Sequence, residues 1–157
     1  MLNVFTVSFF GHRELDGYFY LESKLKDLIG NLIRENEYVN FLVGRNGEFD
    51  NLVSSVIRQM KNEYGNEKCN HTLVLPYCTA EYRNNMKSFE KYYDYIEIYE
   101  EVTKSYFKSA ITERNKRMVD NSDLIIFYIE RNYGGCYNTY KYALKKNKSI
   151  ILLGEDL

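Results

Sequence analysis

The chain has 157 residues, 45% of them hydrophobic, and a formal net charge of −1. This length and hydrophobic content are sufficient for one domain with a substantial core, and no linker rich in Pro, Gly or Ser interrupts the sequence. We therefore expect a single domain over residues 1–157. The near-neutral charge lacks the basic excess that is typical of nucleic-acid-binding chains, so extended DNA or RNA is not an expected partner.

The cysteine content favours a reducing compartment. Cys69, Cys78 and Cys136 form an odd set without CxxC spacing, and neither a signal peptide nor a long apolar run is recognisable. Cys69 and His71 are too few ligands for a zinc site. We expect a cytoplasmic protein with free thiols, no membrane segment, no metal and no cofactor.

Hydrophobic patterning predicts strands and helices in alternation along the chain. The predicted strands cover residues 4–10, 39–43, 72–75, 95–99, 124–129 and 149–153. The helices between them include one with an apolar face of Leu21, Leu25, Leu28 and Leu32, one capped by Asp50 or Asn51, and others over residues 79–92, 111–120 and 136–146. This order predicts a single Rossmann-like α/β domain with a mostly parallel sheet of five to six strands and helices on both faces.

Unusual residues follow the first two strands, where parallel sheets bind ligands beyond the carboxyl ends of their strands. The first loop holds Gly11, His12 and Arg13. His12 either contacts a ligand or braces the loop, and Arg13 either contacts a phosphate or base or forms a surface ion pair. The second loop holds the candidates Gly44, Gly47 and Asp50, of which Asp50 either caps a helix or accepts hydrogen bonds from ribose hydroxyls.

Two polar residues interrupt the buried stripe of the helix over residues 111–120. Arg114 and Asn115 lie three and four residues after Ile111, on the face that Ile111 shares with Met118. A buried guanidinium requires an anionic partner, either a ligand or a structural carboxylate from Asp120, Asp123 or Glu130. Asn115 either contacts the ligand or only braces the neighbouring loop.

A glycine pair precedes the last predicted helix. Gly134 and Gly135 follow a buried strand and permit close backbone approach at the helix start, where free N–H groups and the helix dipole attract anions. We expect a phosphate there, with Thr139 as a possible hydroxyl donor. An ordinary tight turn is the alternative.

Several motifs in order resemble the YpsA-like branch of the SLOG superfamily, which is related to Smf/DprA and LOG proteins. They are FFGHR at residues 9–13, GRNGEFD at 44–50, LPYCTAEY at 75–82, ERNKRMVDNSD at 113–123 and GGCYNTYKYA at 134–143. The resemblance implies a Rossmann-like sheet and a site for a nucleotide or a nucleotide-derived ligand. In LOG relatives it implies cleavage of the N-glycosidic bond of a nucleoside monophosphate, by dimers with sites near the interface.

The chain departs from the LOG pattern at its catalytic part. Arg114 and Met118 match that pattern, but Tyr133 stands at the proline of PGGxGTxxE, and the glutamate position falls on Lys141 or Tyr142. Glycosidic cleavage needs a carboxylate to stabilise an oxocarbenium-like state or to activate water. The departure therefore favours binding or sensing of a small nucleotide-derived ligand over catalysis.

Two alternatives remain for the function. A phosphoribosyl N-glycosidase would recruit Asp50 or Glu81 as its catalytic carboxylate, although Glu81 also suits a helix N-terminus. A ligand-sequestering module in a conflict between phage and host is the other. A homodimer is possible, because the aromatic side chains of Tyr92, Tyr93, Tyr106 and Phe107 either cover such a contact or pack internally.

Overall fold

A computed structural model describes residues 2–99 and 107–154 and contains six strands and six helices in that part of the chain. The strands are β1 (Val4–Gly11), β2 (Tyr38–Val43), β3 (Cys69–Leu75), β4 (Tyr95–Ile98), β5 (Leu124–Tyr128) and β6 (Ser149–Leu153). The helices are α1 (Tyr18–Glu35), α2 (Glu48–Tyr64), α3 (Ala80–Asn84), α4 (Met86–Tyr92), α5 (Phe107–Asp120) and α6 (Gly135–Lys145).

All six strands form one parallel sheet in the order β4-β3-β2-β1-β5-β6. The chain builds outward from β1 through β2 to β4, then returns to the other side of β1 for β5 and β6. The direction of winding therefore reverses between β1 and β5. Ligands bind at such a switch point, beyond the carboxyl ends of the strands, in open α/β sheets.

Helices cover both faces of the sheet, which confirms the predicted fold class. On one face, α1 and α2 pack their apolar sides against the sheet through residues such as Leu25, Ile29, Leu52 and Val56. On the other face, α5 and α6 contribute Met118, Val119 and Ala143. β5 is buried along its whole length because it lies between these layers.

Two helix boundaries differ from the sequence prediction. The predicted N-cap at Asp50 or Asn51 is wrong, because α2 begins at Glu48 after Gly47, and Asp50 lies in its first turn. The predicted helix over residues 79–92 is two helices that meet at Asn85. The Asn85 side-chain amide donates to the Glu81 carbonyl oxygen at 2.8 Å, a local bond that competes with helix continuation.

The aromatic residues considered for a dimer contact pack internally where the structure describes them. Tyr93 is buried against His71 and Phe89, and Tyr92 is partly buried with the Arg58 guanidinium over its ring. Tyr106 and the side chain of Phe107 lie outside the described residues. A homodimer stays a prediction.

Residues 2–99 and 107–154 contain neither a membrane-spanning helix nor a cluster of metal ligands. No helix there is long and apolar enough to cross a membrane. In the same ranges, no group of three or more His, Cys, Asp or Glu side chains could hold a metal ion.

The buried histidine of β3 predicts a pH dependence of stability. Burial is the main cause that lowers the pKa of His71 to about 4, against the opposing charge of Asp94, and its Nε2 lies 2.9 Å from Ser54 Oγ. The folded state thus prefers neutral His71. The stabilisation that this preference gives the folded state is fully present above pH 6.5 and is lost as the pH falls towards 4. We expect the free energy of unfolding to fall by about 3 kcal/mol from this residue over that range.

Urea unfolding at pH 7, 5 and 4 measures this effect. His71→Gln should show a shallower decline than the wild-type chain, because an amide does not titrate there. Equal declines in the two proteins would assign the acid sensitivity to the carboxylates instead.

Candidate functional site

A cavity of about 180 Å³ lies at the switch point, where the loops after β1, β2 and β5 meet helix α5. It is lined by apolar, glycine and polar residues from all of these elements. They are Phe9, Phe10, Gly11, His12, Arg13, Gly44, Asn46, Asp50, Ile111, Arg114, Asn115, Met118, Arg131, Gly135 and Cys136. The structure therefore brings together eight of the residues predicted for the site, and it leaves Gly47, Gly134 and Thr139 outside the lining.

Arg114 is the most unusual group of the cavity, because its side chain is charged and the residue is only 2% exposed. Its Nη1 donates to the Val74 carbonyl oxygen at 3.2 Å and its Nε donates to Asn115 Oδ1 at 3.0 Å. Both acceptors are neutral, and within the described ranges no carboxylate lies within 4.0 Å of the guanidinium. A buried cation with only neutral acceptors is costly and gains from an anionic ligand.

The carboxylates proposed as structural partners of Arg114 have other contacts. The Tyr142 hydroxyl donates to Asp120 at 2.9 Å, and the Thr6 N–H donates to Asp123 at 2.8 Å. Glu130 accepts a hydrogen bond from the Tyr128 hydroxyl. None of the three neutralises Arg114 in the described structure.

Asp50 and Arg114 flank Gly44. A Cβ at Gly44 would lie 3.1 Å from Asp50 Oδ2 and 3.2 Å from Arg114 Nη1, so a side chain there would crowd both groups. The Asn46 N–H donates to Asp50 Oδ2 at 2.8 Å. Burial raises the pKa of the Asp50 carboxyl, which the Asn46 hydrogen bond and the Arg114 charge oppose. Asp50 is therefore the carboxylate of the site, with Arg114 across the glycine.

His12 braces its loop and also lines the cavity. The Glu130 N–H donates to His12 Nε2 at 2.8 Å, which links the loop after β1 to the end of β5. Burial, followed by the charge of Arg131, lowers the pKa of His12, so the ring is neutral near pH 7. With Nε2 as an acceptor, the proton of the neutral ring resides on Nδ1. His12 can therefore brace its loop through Nε2 and still donate a hydrogen bond to a ligand through Nδ1.

Gly11 and Gly47 act through the space that they leave open. A Cβ at Gly11 would lie 2.2 Å from the Phe49 ring, and one at Gly47 would lie 2.5 Å from Arg13 Cα. The first glycine admits Phe49 beneath the cavity, and the second lets the loop after β1 cross the start of α2. Both positions shape the wall of the cavity by close packing.

The start of helix α6 faces the cavity through Gly135. Gly134 precedes the helix with a φ of 94°, a conformation that favours glycine. Asn115 Nδ2 donates to Thr139 Oγ1 at 3.2 Å, and Thr139 Oγ1 donates to the Gly135 carbonyl oxygen at 2.9 Å. Thr139 thus positions Asn115, and its hydroxyl proton is already donated to the Gly135 carbonyl oxygen of the same helix. The N–H groups of the first turn have no intrahelical acceptors, which suits an anion.

Arg131 and Asn46 are lining residues that the sequence prediction missed. Arg131 lies three residues after the end of β5, in a loop that the rule for ligand sites after strand ends selects, although the residue itself was not among the predicted contacts. Together with Arg13 and Arg114 it gives the cavity lining three arginine residues against the single acidic residue Asp50. The balance of charge at the cavity favours an anion.

Two candidates for chemistry have little support from the geometry. Glu81 does not line the cavity, because it forms an ion pair with Arg45 at 2.9 Å in the first turn of α3. Cys136 does line it, but burial raises the pKa of its thiol to about 12, which keeps it protonated and a poor nucleophile.

Two solved structures share this fold. DNA processing protein A from Helicobacter pylori, described for its single-stranded DNA binding mode, matches with a TM-score of 0.69 and 18% identity over 98% of this chain and 66% of that chain. DNA processing protein A (DprA) from Streptococcus pneumoniae matches with a TM-score of 0.69 and 15% identity over 98% of this chain and 52% of that chain. The chain thus spans only part of the length of each of these proteins. No family model and no curated protein sequence matches the chain.

The prediction against extended nucleic acid is wrong. It rests on the net charge of the whole chain, whereas the Helicobacter pylori protein, which shares the fold across 98% of this chain, binds single-stranded DNA. The physical reason is that binding depends on local charge. Arg13, Arg114 and Arg131 converge on one cavity, and acidic residues elsewhere cancel them in the net charge.

Proposed function

We propose that the chain binds a nucleotide through its phosphate at the switch-point cavity. The observation that carries the proposal is the buried Arg114 guanidinium, which has only neutral hydrogen-bond acceptors in the described structure and faces a cavity. A phosphate would supply the missing negative charge and accept further hydrogen bonds from the first turn of α6.

The volume of the cavity is sufficient to enclose the phosphate of a nucleotide and part of its sugar, but not the whole nucleotide. The cavity measures about 180 Å³, whereas sites that enclose a whole drug-sized ligand measure roughly 300–1,000 Å³. The Asp50 carboxylate, which like Arg114 lies close to Gly44, suits the ribose hydroxyls. Sensing of such a ligand, which the absence of the LOG glutamate favours over catalysis, is the finer form of this proposal.

The phosphate belongs either to a free nucleotide or to a single strand of nucleic acid. Calorimetry with inorganic phosphate, ribose 5-phosphate, adenosine, AMP and a twelve-nucleotide DNA strand separates these sources. We expect every phosphate compound to bind and adenosine to fail. Binding of AMP as tight as that of the strand would identify a mononucleotide site, whereas tighter binding of the strand with a steep salt dependence would identify nucleic acid.

A result without measurable binding of any phosphate compound would contradict the proposal. So would equal affinities for the wild-type chain and for a variant that lacks the Arg114 guanidinium.

Asp50 favours a second candidate, hydrolysis of an N-glycosidic bond. It lines the cavity, and its raised pKa brings it closer to the range in which a carboxyl group exchanges protons with a substrate. Chromatography of the AMP titration mixtures after long incubation tests it. Free adenine from the wild-type chain, and none from Asp50→Asn, would support an enzyme. Intact AMP with both proteins would contradict hydrolysis and support binding only.

A further inference from the structure

Tyr133 lies in the loop between β5 and α6, which contributes lining residues to the cavity. Tyr133 itself does not line the cavity, but Arg131 and Gly135, two residues before and two residues after it, both do, and Tyr133 is 65% exposed. The Arg131 guanidinium carbon lies 4.9 Å from the centre of the Tyr133 ring. One arginine therefore both lines the cavity and contacts the Tyr133 ring.

A stack of guanidinium on aromatic ring fixes the orientation of a side chain that would otherwise rotate in water. Arg131 covers one side of the Tyr133 ring, and the large exposed fraction leaves surface for another flat group. Aromatic rings of this kind accept nucleobases regardless of sequence, because every base has a π-face. The position that the LOG pattern fills with proline thus supplies an aromatic surface in this chain.

We infer that Tyr133 is the stacking surface for the base of the bound nucleotide. This inference rests on the proposed phosphate site. The cavity of about 180 Å³ has room for the phosphate and part of the sugar, so the base extends out of it, and the exposed Tyr133 is within the loop that carries the lining residues Arg131 and Gly135. Tyr133 then makes the site prefer nucleoside phosphates to inorganic phosphate and to ribose 5-phosphate.

The absence of tryptophan from the sequence allows a direct optical test. Tyr133→Trp places the only indole of the chain at the proposed stacking position. We expect AMP to quench its fluorescence with the same midpoint as the calorimetric titration, because a stacked base contacts the ring. Ribose 5-phosphate should bind without quenching.

Tyr20 provides a matched control. It is 68% exposed and has the Lys24 ammonium 4.5 Å from its ring centre, but it lies on α1 and does not line the cavity. Tyr20→Trp should show no quenching by AMP. Quenching of equal strength in both variants would indicate nonspecific contact of the nucleotide with exposed indoles, and it would overturn the inference.

Affinity measurements distinguish failure of this inference from failure of the phosphate site. Tyr133→Ser should weaken AMP binding by about tenfold and leave ribose 5-phosphate binding unchanged, since the loss is confined to base stacking. Retention of full AMP affinity in Tyr133→Ser, with the dependence on Arg114 intact, would refute the stacking role alone. Absence of AMP binding from the wild-type chain would refute both proposals.

Discussion

Replacing Arg114 by alanine is expected to abolish most phosphate binding. The guanidinium is 2% exposed, lines the cavity and has only neutral acceptors within the described residues, so its charge is available to a ligand. A charge-assisted contact in a desolvated site contributes about 3 kcal/mol, which corresponds to roughly a hundredfold in affinity. Calorimetry with AMP on the wild-type chain and on Arg114→Ala measures this loss.

Arg117 is the matched control on the same helix. Its guanidinium carbon lies 4.8 Å from the centre of the Tyr99 ring, and the residue does not line the cavity. Arg117→Ala should retain AMP affinity within about twofold, a change that corresponds to a small fraction of one charge-assisted contact. Equal losses in both variants would indicate a general effect of positive charge, and they would count against a dedicated role for Arg114.

A second variant separates binding from folding. Arg114→Met keeps an unbranched side chain in the same space and removes the buried charge. The removal relieves a desolvation cost, whereas the lost hydrogen bonds to the Val74 carbonyl oxygen and to Asn115 Oδ1 oppose that gain. We expect the free energy of unfolding to change by less than about 1 kcal/mol, while phosphate binding is lost. If the variant is instead unfolded at room temperature, Arg114 is required for the stability of the fold.

The sequence predicts the fold and the buried position of Arg114 because both depend on periodicity. The alternation of strands and helices specified a parallel sheet, and all six predicted strands are present with small shifts at their ends. Arg114 was predicted because a helix of period 3.6 places it between Ile111 and Met118 on one face. These inferences require only local spacing.

Other features depend on contacts between distant segments and have no local signal. The sequence does not reveal that Gly47 passes against Arg13, or that the Glu130 N–H donates to His12. The break between α3 and α4 depends on the hydrogen bond that the Asn85 side-chain amide donates to the Glu81 carbonyl oxygen. Net charge likewise misled the prediction of partners, because it carries no information about where the arginines converge.

The crossing of two loops beneath the site predicts a large effect for Gly47→Ala. A Cβ there would lie 2.5 Å from Arg13 Cα and 3.0 Å from the Arg13 carbonyl oxygen, which are backbone atoms that cannot rotate away. The Glu48 N–H donates to that same oxygen at 2.8 Å, and the Leu15 N–H donates to Glu48 Oε2 at 2.6 Å. Relief of the clash must therefore break these bonds, and we expect a loss of about 3 kcal/mol in the free energy of unfolding.

Gly135→Ala is the control for this prediction, because no atom lies within 4 Å of a Cβ at that position. Alanine at the start of α6 should change stability by less than about 0.5 kcal/mol. Urea unfolding of both variants at neutral pH gives the comparison, and calorimetry with AMP on the folded fraction of Gly47→Ala reports on the site. Since the displaced loop carries His12 and Arg13, affinity should fall together with stability. A Gly47→Ala protein as stable as Gly135→Ala would show that the loop can separate from α2 at little cost, and that the crossing does not hold the cavity wall in place.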